Sequence, residues 1–116
     1  MNDTYGHDFG DRVLQKVAAF FKTHLRDIDF IGRIGGEEFI VVMPSTDKKT
    51  AAFVADRLRQ QLADLSFDEN GLQVTISGGV SNAPQDADDM DALIKKADVA
   101  LYAAKHDGRN KIIQAS

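Results

Sequence analysis

Residues 30–43 of this chain read FIGRIGGEEFIVVM, two apolar segments on either side of two glycines and two glutamates. Both segments are rich in Phe, Ile and Val, which are typical of strands. The Gly-Gly pair between them predicts a β-hairpin over about 28–43. Its turn presents the carboxylates of Glu37 and Glu38 beside open backbone, which suits a metal ion and phosphates. An ordinary turn with solvated acids explains these residues equally well.

Three amphipathic helices are predicted around this hairpin. Apolar residues recur at helical spacing from about Asp8 to Leu25, which predicts the first helix. Residues 44–47 (PSTD) end the hairpin and supply N-caps for the second. The aspartates within 88–91 favour the start of a third helix, which Gly108 can end. Capping explains these aspartates better than metal binding does.

Two further strands complete the predicted order. Residues 72–77 alternate apolar and polar side chains, as in a strand with one wetter face, and Gly78-Gly79 follows as a bulge or close contact. Residues 111–113 predict a short last strand. The order α, β, β, α, β, α, β indicates an α+β fold, an antiparallel-rich sheet flanked by helices, rather than a doubly wound one.

Length and composition describe one globular domain. The chain has 116 residues, 43% hydrophobic and 28% charged. No apolar run approaches the ~20 residues of a membrane helix, and the polar start predicts no signal peptide. The absence of cysteine excludes a thiol nucleophile and fits the cytoplasm. A net charge of −4 argues against a nucleic-acid surface, although a divalent cation can still bridge acidic side chains to a mononucleotide.

Two residue pairs have the chemistry to bind a guanine nucleotide. Asn2 and Asp11 offer an amide and a carboxylate, which can read a guanine edge, although capping and solvation explain them more simply. Lys105 and Arg109 are four positions apart near the end of the third predicted helix, so both can reach the same phosphates. Cations at a helix C-terminus are also stabilising in themselves. Neither pair decides the function alone.

Arg26 and Asp29 lie between the first helix and the hairpin. They could form a local ion pair worth at most about 1 kcal/mol if exposed. They could equally form a guanidinium–carboxylate clamp for a guanine base and a phosphate. The histidines, His7, His24 and His106, show no shared metal spacing and are interpreted as structural or surface residues.

Taken together, these segments resemble the GGDEF-type diguanylate cyclase domains, in the variant whose signature reads GGEEF. Residues 2–11 resemble the N-D-x-x-G-H-x-x-G-D segment, 35–39 the signature, 77–80 the S-x-G-V strand and 97–110 the closing helix motif. Such segments in the right order, from end to end, are far more specific than any one alone. The resemblance implies a nucleotidyl cyclase fold with a ferredoxin-like palm.

The resemblance also implies an activity in bacterial signal transduction. Two such domains meet as a homodimer, each with one GTP and Mg²⁺ (or Mn²⁺), and condense the two GTP molecules into cyclic di-GMP with release of pyrophosphate. Glu37 and Glu38 are then the catalytic and metal-binding acids, and Glu37 also helps activate the ribose 3′-hydroxyl. The GTP-binding residues implied are Asn2, Asp11, Gly35, Gly36, Lys105 and Arg109.

A second, inhibitory site is implied by the same resemblance. The family binds its product, cyclic di-GMP, at an R-x-x-D motif ending five residues before the signature, and Asp29 stands at that spacing with Arg26 at its head. Arg33 and Arg57 match positions that supply further arginines. The expected partners are GTP, cyclic di-GMP, a second copy of the domain and a sensor or regulatory domain in the parent protein.

One departure from the family pattern lowers the expected activity. The family has about forty further residues ahead of Asn2, with a strand that ends in the other main metal-binding aspartate. The chain is therefore expected to be the C-terminal three quarters or so of the domain, a weak or inactive cyclase by itself. Its unpaired hairpin edge favours association between chains. The competing functions are a non-catalytic GTP or cyclic di-GMP receptor and a bare interaction domain.

Overall fold

The structure is a computed structural model that describes residues 6–35, 38–65, 71 and 73–116. Within these ranges the elements follow the predicted order, and the chain divides into two compact units. The first unit holds α1 and the hairpin β1–β2, and the second holds α2, β3, α3 and β4. The elements are α1 Gly6–His24, β1 Phe30–Gly35, β2 Glu38–Val42, α2 Lys48–Ala63, β3 Gly78–Val80, α3 Met90–His106 and β4 Ile112–Gln114.

In the first unit, one face of α1 supplies the buried core. Val13, Val17 and Phe21 are spaced four apart, so they share a helix face, and all three are buried. The Phe21 ring meets Phe39 of β2 edge to face, with the ring centroids 6.2 Å apart. The strands β1 and β2 are antiparallel, as predicted, with a register shift between Arg33 and Gly35. The apolar spacing of α1 therefore anchors the helix beside the hairpin.

In the second unit, β3 and β4 pair in parallel, with Gly78 opposite Ile112. Helix α3 lies directly against β3. A Cβ at Gly79 would lie 2.0 Å from the carbonyl oxygen of Ala97 in α3, a distance no side chain tolerates. The predicted close contact at the glycine pair is therefore confirmed. Leu62 of α2 and Ala104 of α3 are completely buried and mark the core of this unit.

Two details of the predicted sheet differ from the structure. The described strands form one antiparallel and one parallel pair, so the hairpin alone is antiparallel. The strand predicted over 72–77 was placed too early, since β3 begins at Gly78. The alternation that suggested it is real, because Val74 and Ile76 are half-buried while Gln73 and Thr75 are exposed. Side-chain burial thus alternates along residues 73–76, although this segment pairs with no described strand.

The helix starts follow the predicted caps. The Asp47 carboxylate accepts a hydrogen bond of 2.7 Å from the Thr50 N–H and caps α2, and Asp89 caps α3 through the Ala92 N–H at 2.8 Å. The hydrogen bonds from Thr50 lower the pKa of Asp47. Nowhere in the described ranges is a helix both long enough and apolar enough to cross a membrane.

Candidate nucleotide site

The turn of the hairpin carries the predicted catalytic acids. Glu38 opens β2 as an exposed side chain and pairs with Gly35 just beyond the register shift. Such irregularities in a ladder re-aim side chains and are frequent beside functional sites. Asn2, Gly36 and Glu37 lie outside the described residues, so their roles stay predictions. The described half of the turn thus presents one solvent-facing carboxylate.

Asp11 of α1 meets Arg33 of β1. Arg33 Nη2 lies 3.3 Å from Asp11 Oδ1, and both side chains are about half exposed, at 41% and 56%. An exposed pair at this distance contributes at most about 1 kcal/mol, so it exchanges readily for another partner. The sequence assigned the two residues to different sites, guanine for Asp11 and cyclic di-GMP for Arg33. The structure brings them together.

Beside this pair, a groove opens between α1 and the hairpin. Its volume is about 130 Å³ and its lining is mostly apolar. An apolar cleft with a few polar groups at its edge is the usual form of a small-molecule site. Leu14 lies three residues after Asp11, on the same side of α1, and helical spacing alone did not identify it as part of a site. The groove is lined by Leu14, Gln15, Ala18, Ile31, Gly32, Arg33 and Phe39.

Arg26 and Asp29 form a compact pair. Arg26 Nη2 donates to Asp29 Oδ1 at 2.7 Å, Nε donates to both carboxylate oxygens at 3.1 Å, and the Arg26 backbone N–H donates to Oδ2 at 2.9 Å. Nη2 also donates to the Pro44 carbonyl at 3.0 Å. The Asp29 side chain is only 3% exposed, while that of Arg26 is 50% exposed. The side-chain hydrogen bonds from Arg26 lower the pKa of Asp29.

In the second unit, Lys105 and Arg109 lie at the end of α3, as the sequence predicted. Lys105 is half-buried in the last turn, and Arg109 is exposed just beyond it. The Arg109 N–H donates to the Ala104 carbonyl at 2.9 Å and closes the helix. Arg57, the third predicted arginine of the product site, is exposed on α2.

The described residues contain no group of three or more His, Asp or Glu side chains that could hold a metal ion. Mg²⁺ is usually bound through one or two carboxylates completed by substrate phosphates and water. The oxygen donors of Glu37 and Glu38 fit such a cation in chemical type. These two acids would therefore hold it together with a nucleotide rather than by themselves.

Comparison with known proteins identifies the family. The family described as "Diguanylate cyclase, GGDEF domain" matches residues 1–111. The chain belongs to this family. A GGDEF relative, Diguanylate cyclase A of Treponema denticola, is 42% identical over 114 residues, which are 97% of this chain and 31% of that protein. The chain therefore spans about a third of the length of this curated relative.

Solved GGDEF domains share the fold. The active GGEEF domain of a diguanylate cyclase from Vibrio cholerae matches with a TM-score of 0.91 and 38% identity, covering 99% of this chain and 74% of that one. The GGDEF domain of DgcB from Caulobacter crescentus, solved in complex with c-di-GMP, matches with a TM-score of 0.83 and 30% identity, covering 98% and 69%. The predicted α+β nucleotidyl cyclase fold is thus confirmed.

Proposed function

We propose that this chain is the GTP-binding part of a diguanylate cyclase domain that joins two GTP molecules into cyclic di-GMP and releases pyrophosphate. Family membership supports the reaction class. The observation that carries the assignment of this chain's own residues is the groove beside α1, with the exposed Asp11–Arg33 pair at its edge. An apolar slot beside a carboxylate is the environment that a flat, hydrogen-bonding base requires.

In this proposal guanine lies in the groove and Asp11 recognises it. A carboxylate is an acceptor only, so it complements the ring N–H and the exocyclic amine of guanine and opposes the acceptor at the same ring position of adenine. Leu14 and Phe39 supply apolar surface for the base. The weak contact between Arg33 and Oδ1 of Asp11 is exchanged for the base when guanine binds. Asn2 is proposed as the second reader of the guanine edge.

The triphosphate is proposed to be held by the turn and by the cations that end α3. Gly35 and Gly36 admit the phosphates, because a residue without a side chain leaves the backbone open. Lys105 and Arg109 hold the distal phosphates. The Lys105 ammonium acts as a point charge, and the Arg109 guanidinium can donate two parallel hydrogen bonds. Mg²⁺ or Mn²⁺ at Glu37 and Glu38, when bound, supplies neutralisation of phosphate charge.

The reaction is phosphoryl transfer carried mainly by positioning. Glu37 is proposed to accept the proton of the ribose 3′-hydroxyl of one GTP, which attacks the α-phosphate of the other in line, and pyrophosphate leaves. Each chain holds one GTP, so the reaction requires two copies, and we propose a homodimer. Its expected location is the cytoplasm, and a sensor or regulatory domain is expected to control it.

Calorimetry with GTP, ATP and GMP tests the binding proposal. We expect GTP with Mg²⁺ to bind at least about tenfold more tightly than ATP, because adenine leaves the Asp11 carboxylate without a donor. Equal affinity for GTP and ATP, or no binding of either, would overturn the guanine assignment. Chromatography of the same mixtures measures turnover. Binding of cyclic di-GMP much more tightly than GTP would favour the alternative function, a non-catalytic GTP or cyclic di-GMP receptor.

Product inhibition is proposed at Arg26, Asp29, Arg33 and Arg57. Arg26 is supported from behind by the buried Asp29 while half of its side chain faces solvent, so its guanidinium is pre-oriented for a phosphate or a guanine edge. We expect Arg26→Ala and Arg57→Ala each to weaken cyclic di-GMP binding, with Lys49→Ala on the exposed start of α2 as the control. Unchanged affinity in both arginine variants would contradict the site.

A further inference from the structure

We propose that Ser77 and Arg59 are positioning residues for Arg109: they hold Asn110 from two sides and so fix the turn that carries the phosphate-binding arginine. This inference rests on the proposed function of Arg109. The turn consists of residues 108–110, and all of the contacts involved lie within the second unit.

The backbone of the 108–110 turn is left-handed throughout. Its φ angles are +101° at Gly108, +62° at Arg109 and +50° at Asn110. Glycine adopts such angles freely and asparagine tolerates them, but for arginine they are unfavourable. A conformation of this kind persists only where surrounding contacts enforce it, and such positions concentrate at functional sites. Arg109, whose backbone conformation is the unfavourable one, is also the residue proposed to bind the triphosphate.

Asn110 is bonded on three of its polar groups. Its backbone N–H donates to Ser77 Oγ at 3.0 Å. Its side-chain Oδ1 and its backbone carbonyl accept from Arg59 Nη1 at 3.0 and 3.3 Å. One neighbour of Arg109 is thus held by the segment before β3 and by α2. On the other side, the Arg109 N–H bonds Ala104 in α3.

Arg59 is itself held in place. Its Nε donates to Asp56 Oδ1 at 2.7 Å, one turn earlier on α2, and only 18% of its side chain is exposed. That hydrogen bond lowers the pKa of Asp56. Arg57, two residues earlier, is by contrast exposed. The orientation of Arg59 is therefore fixed by contacts within the unit, to Asp56 and to Asn110.

The contact with Ser77 joins the turn to the sheet. Ser77 immediately precedes β3, and the Gly78 N–H donates to the Lys111 carbonyl at 3.0 Å, where the β3–β4 ladder begins. The turn is therefore fixed at the start of the paired strands, next to Gly78, where an added Cβ would lie 2.8 Å from the Ile112 side chain of β4. Loss of either partner of Asn110 releases the turn while the helices and the ladder remain.

The test compares the affinities of variants for GTP and GMP by calorimetry on the full chain. Arg109→Ala should weaken GTP binding about tenfold and leave GMP unchanged, because only the distal phosphates are lost. Ser77→Ala and Arg59→Met should each weaken GTP binding about three- to tenfold and leave GMP within twofold. Ser77→Thr keeps the hydroxyl and should restore the native ratio. Lys95→Met, which removes an exposed cation on α3, is the matched control.

A double variant tests whether Ser77 affects GTP binding through Arg109. If Ser77 acts through Arg109, Ser77→Ala added to Arg109→Ala should cause no further loss of GTP affinity. Equal losses for GTP and GMP in the Ser77 and Arg59 variants, or additive losses in the double variant, would overturn the positioning role alone. If Arg109→Ala left the ratio of GTP affinity to GMP affinity unchanged, the proposed phosphate role of Arg109 would be overturned, and the inference with it.

Discussion

The pairs Arg26–Asp29 and Arg33–Asp11 join the same two residue types within the same unit, and they differ in almost every physical respect. Asp29 is 3% exposed and takes several hydrogen bonds from Arg26, the shortest at 2.7 Å. Asp11 is 56% exposed and meets Arg33 at 3.3 Å. A buried, multiply bonded carboxylate contributes to stability, whereas an exposed one at a long distance contributes little.

This difference in exposure and bonding suits the Arg26–Asp29 pair to structural support and the Arg33–Asp11 pair to ligand recognition. Asp29 can contact a ligand directly only by giving up hydrogen bonds that hold the segment after α1, so we propose that it acts in the product site by orienting Arg26. Asp11 can exchange its partner at little cost, since water already screens the pair. Four predictions follow from this contrast, in order of expected size.

The largest expected effect is on stability, at the Arg26–Asp29 pair, whose carboxylate side chain is only 3% exposed. Asp29→Ala should lower the free energy of unfolding by about 2–3 kcal/mol, because it removes the acceptor of the Arg26 backbone N–H and the carboxylate that bonds the guanidinium at two nitrogens. Asp11→Ala should change it by less than about 0.5 kcal/mol. Urea denaturation followed by circular dichroism measures both. Equal losses in the two variants would remove the distinction between the pairs.

The second effect is on GTP binding. Here Asp11 should matter more than Asp29, the opposite of their expected effects on stability. Asp11→Ala should weaken GTP binding at least about tenfold, since a hydrogen bond to a charged group contributes about 1.5–3 kcal/mol. Asp27→Ala, an exposed aspartate in the same unit, is the control and should leave the affinity unchanged. Calorimetry at a temperature where each variant is folded makes the comparison. An Asp11 variant that binds GTP normally would exclude it as the guanine reader.

The third effect is the pH dependence of stability. Hydrogen bonds from Arg26 lower the pKa of folded Asp29 below its unfolded value of about 3.9. The stabilisation is therefore fully present above pH 4 or so and is lost as the pH falls through the lower, folded pKa. The difference in unfolding free energy between the native chain and Asp29→Asn should shrink over that acid range. A difference that stays constant from pH 6 down to acid unfolding would contradict this linkage.

The smallest effect is the salt sensitivity of the exposed pair. Arg33→Met should change stability by at most about 0.5 kcal/mol at low ionic strength, and the change should fade in 0.5 M salt, where charges are screened within about 5 Å. The destabilisation by Asp29→Ala should persist in the same salt. Thermal unfolding at two salt concentrations measures both. An equally strong salt response in the two variants would mean that the pairs are equivalent.

Local features of the sequence predicted local structure well. Apolar spacing gave the three helices, aspartates at their starts gave the caps of α2 and α3, and the Gly-Gly stretch gave the hairpin. The error at 72–77 has a physical cause: alternating burial arises wherever an extended segment lies on a core, whether or not a strand pairs with it. The parallel β3–β4 pair depends on contacts between residues about 34 positions apart, which periodicity cannot register.

The candidate site was predictable only in part. The residue types at Asp11, Glu38, Lys105 and Arg109 indicated nucleotide chemistry once the family motifs were considered together. The Arg33–Asp11 contact joins residues 22 positions apart, and the bond from Arg59 to Asn110 joins residues 51 apart. No spacing rule links such residues, because the fold alone decides which polar groups meet.

The left-handed turn after α3 has one more consequence, which concerns direction. Each additional residue of an α-helix rotates the next side chain by about 100° around the axis and moves it about 1.5 Å along it. Suppose that Gly108 were replaced by a strong helix former and α3 grew by one or two residues. The Arg109 side chain would then be rotated about the helix axis and would point in a different direction. The end of α3 at His106 thus sets the direction in which that charge points, so the length of the helix determines where Arg109 can bind.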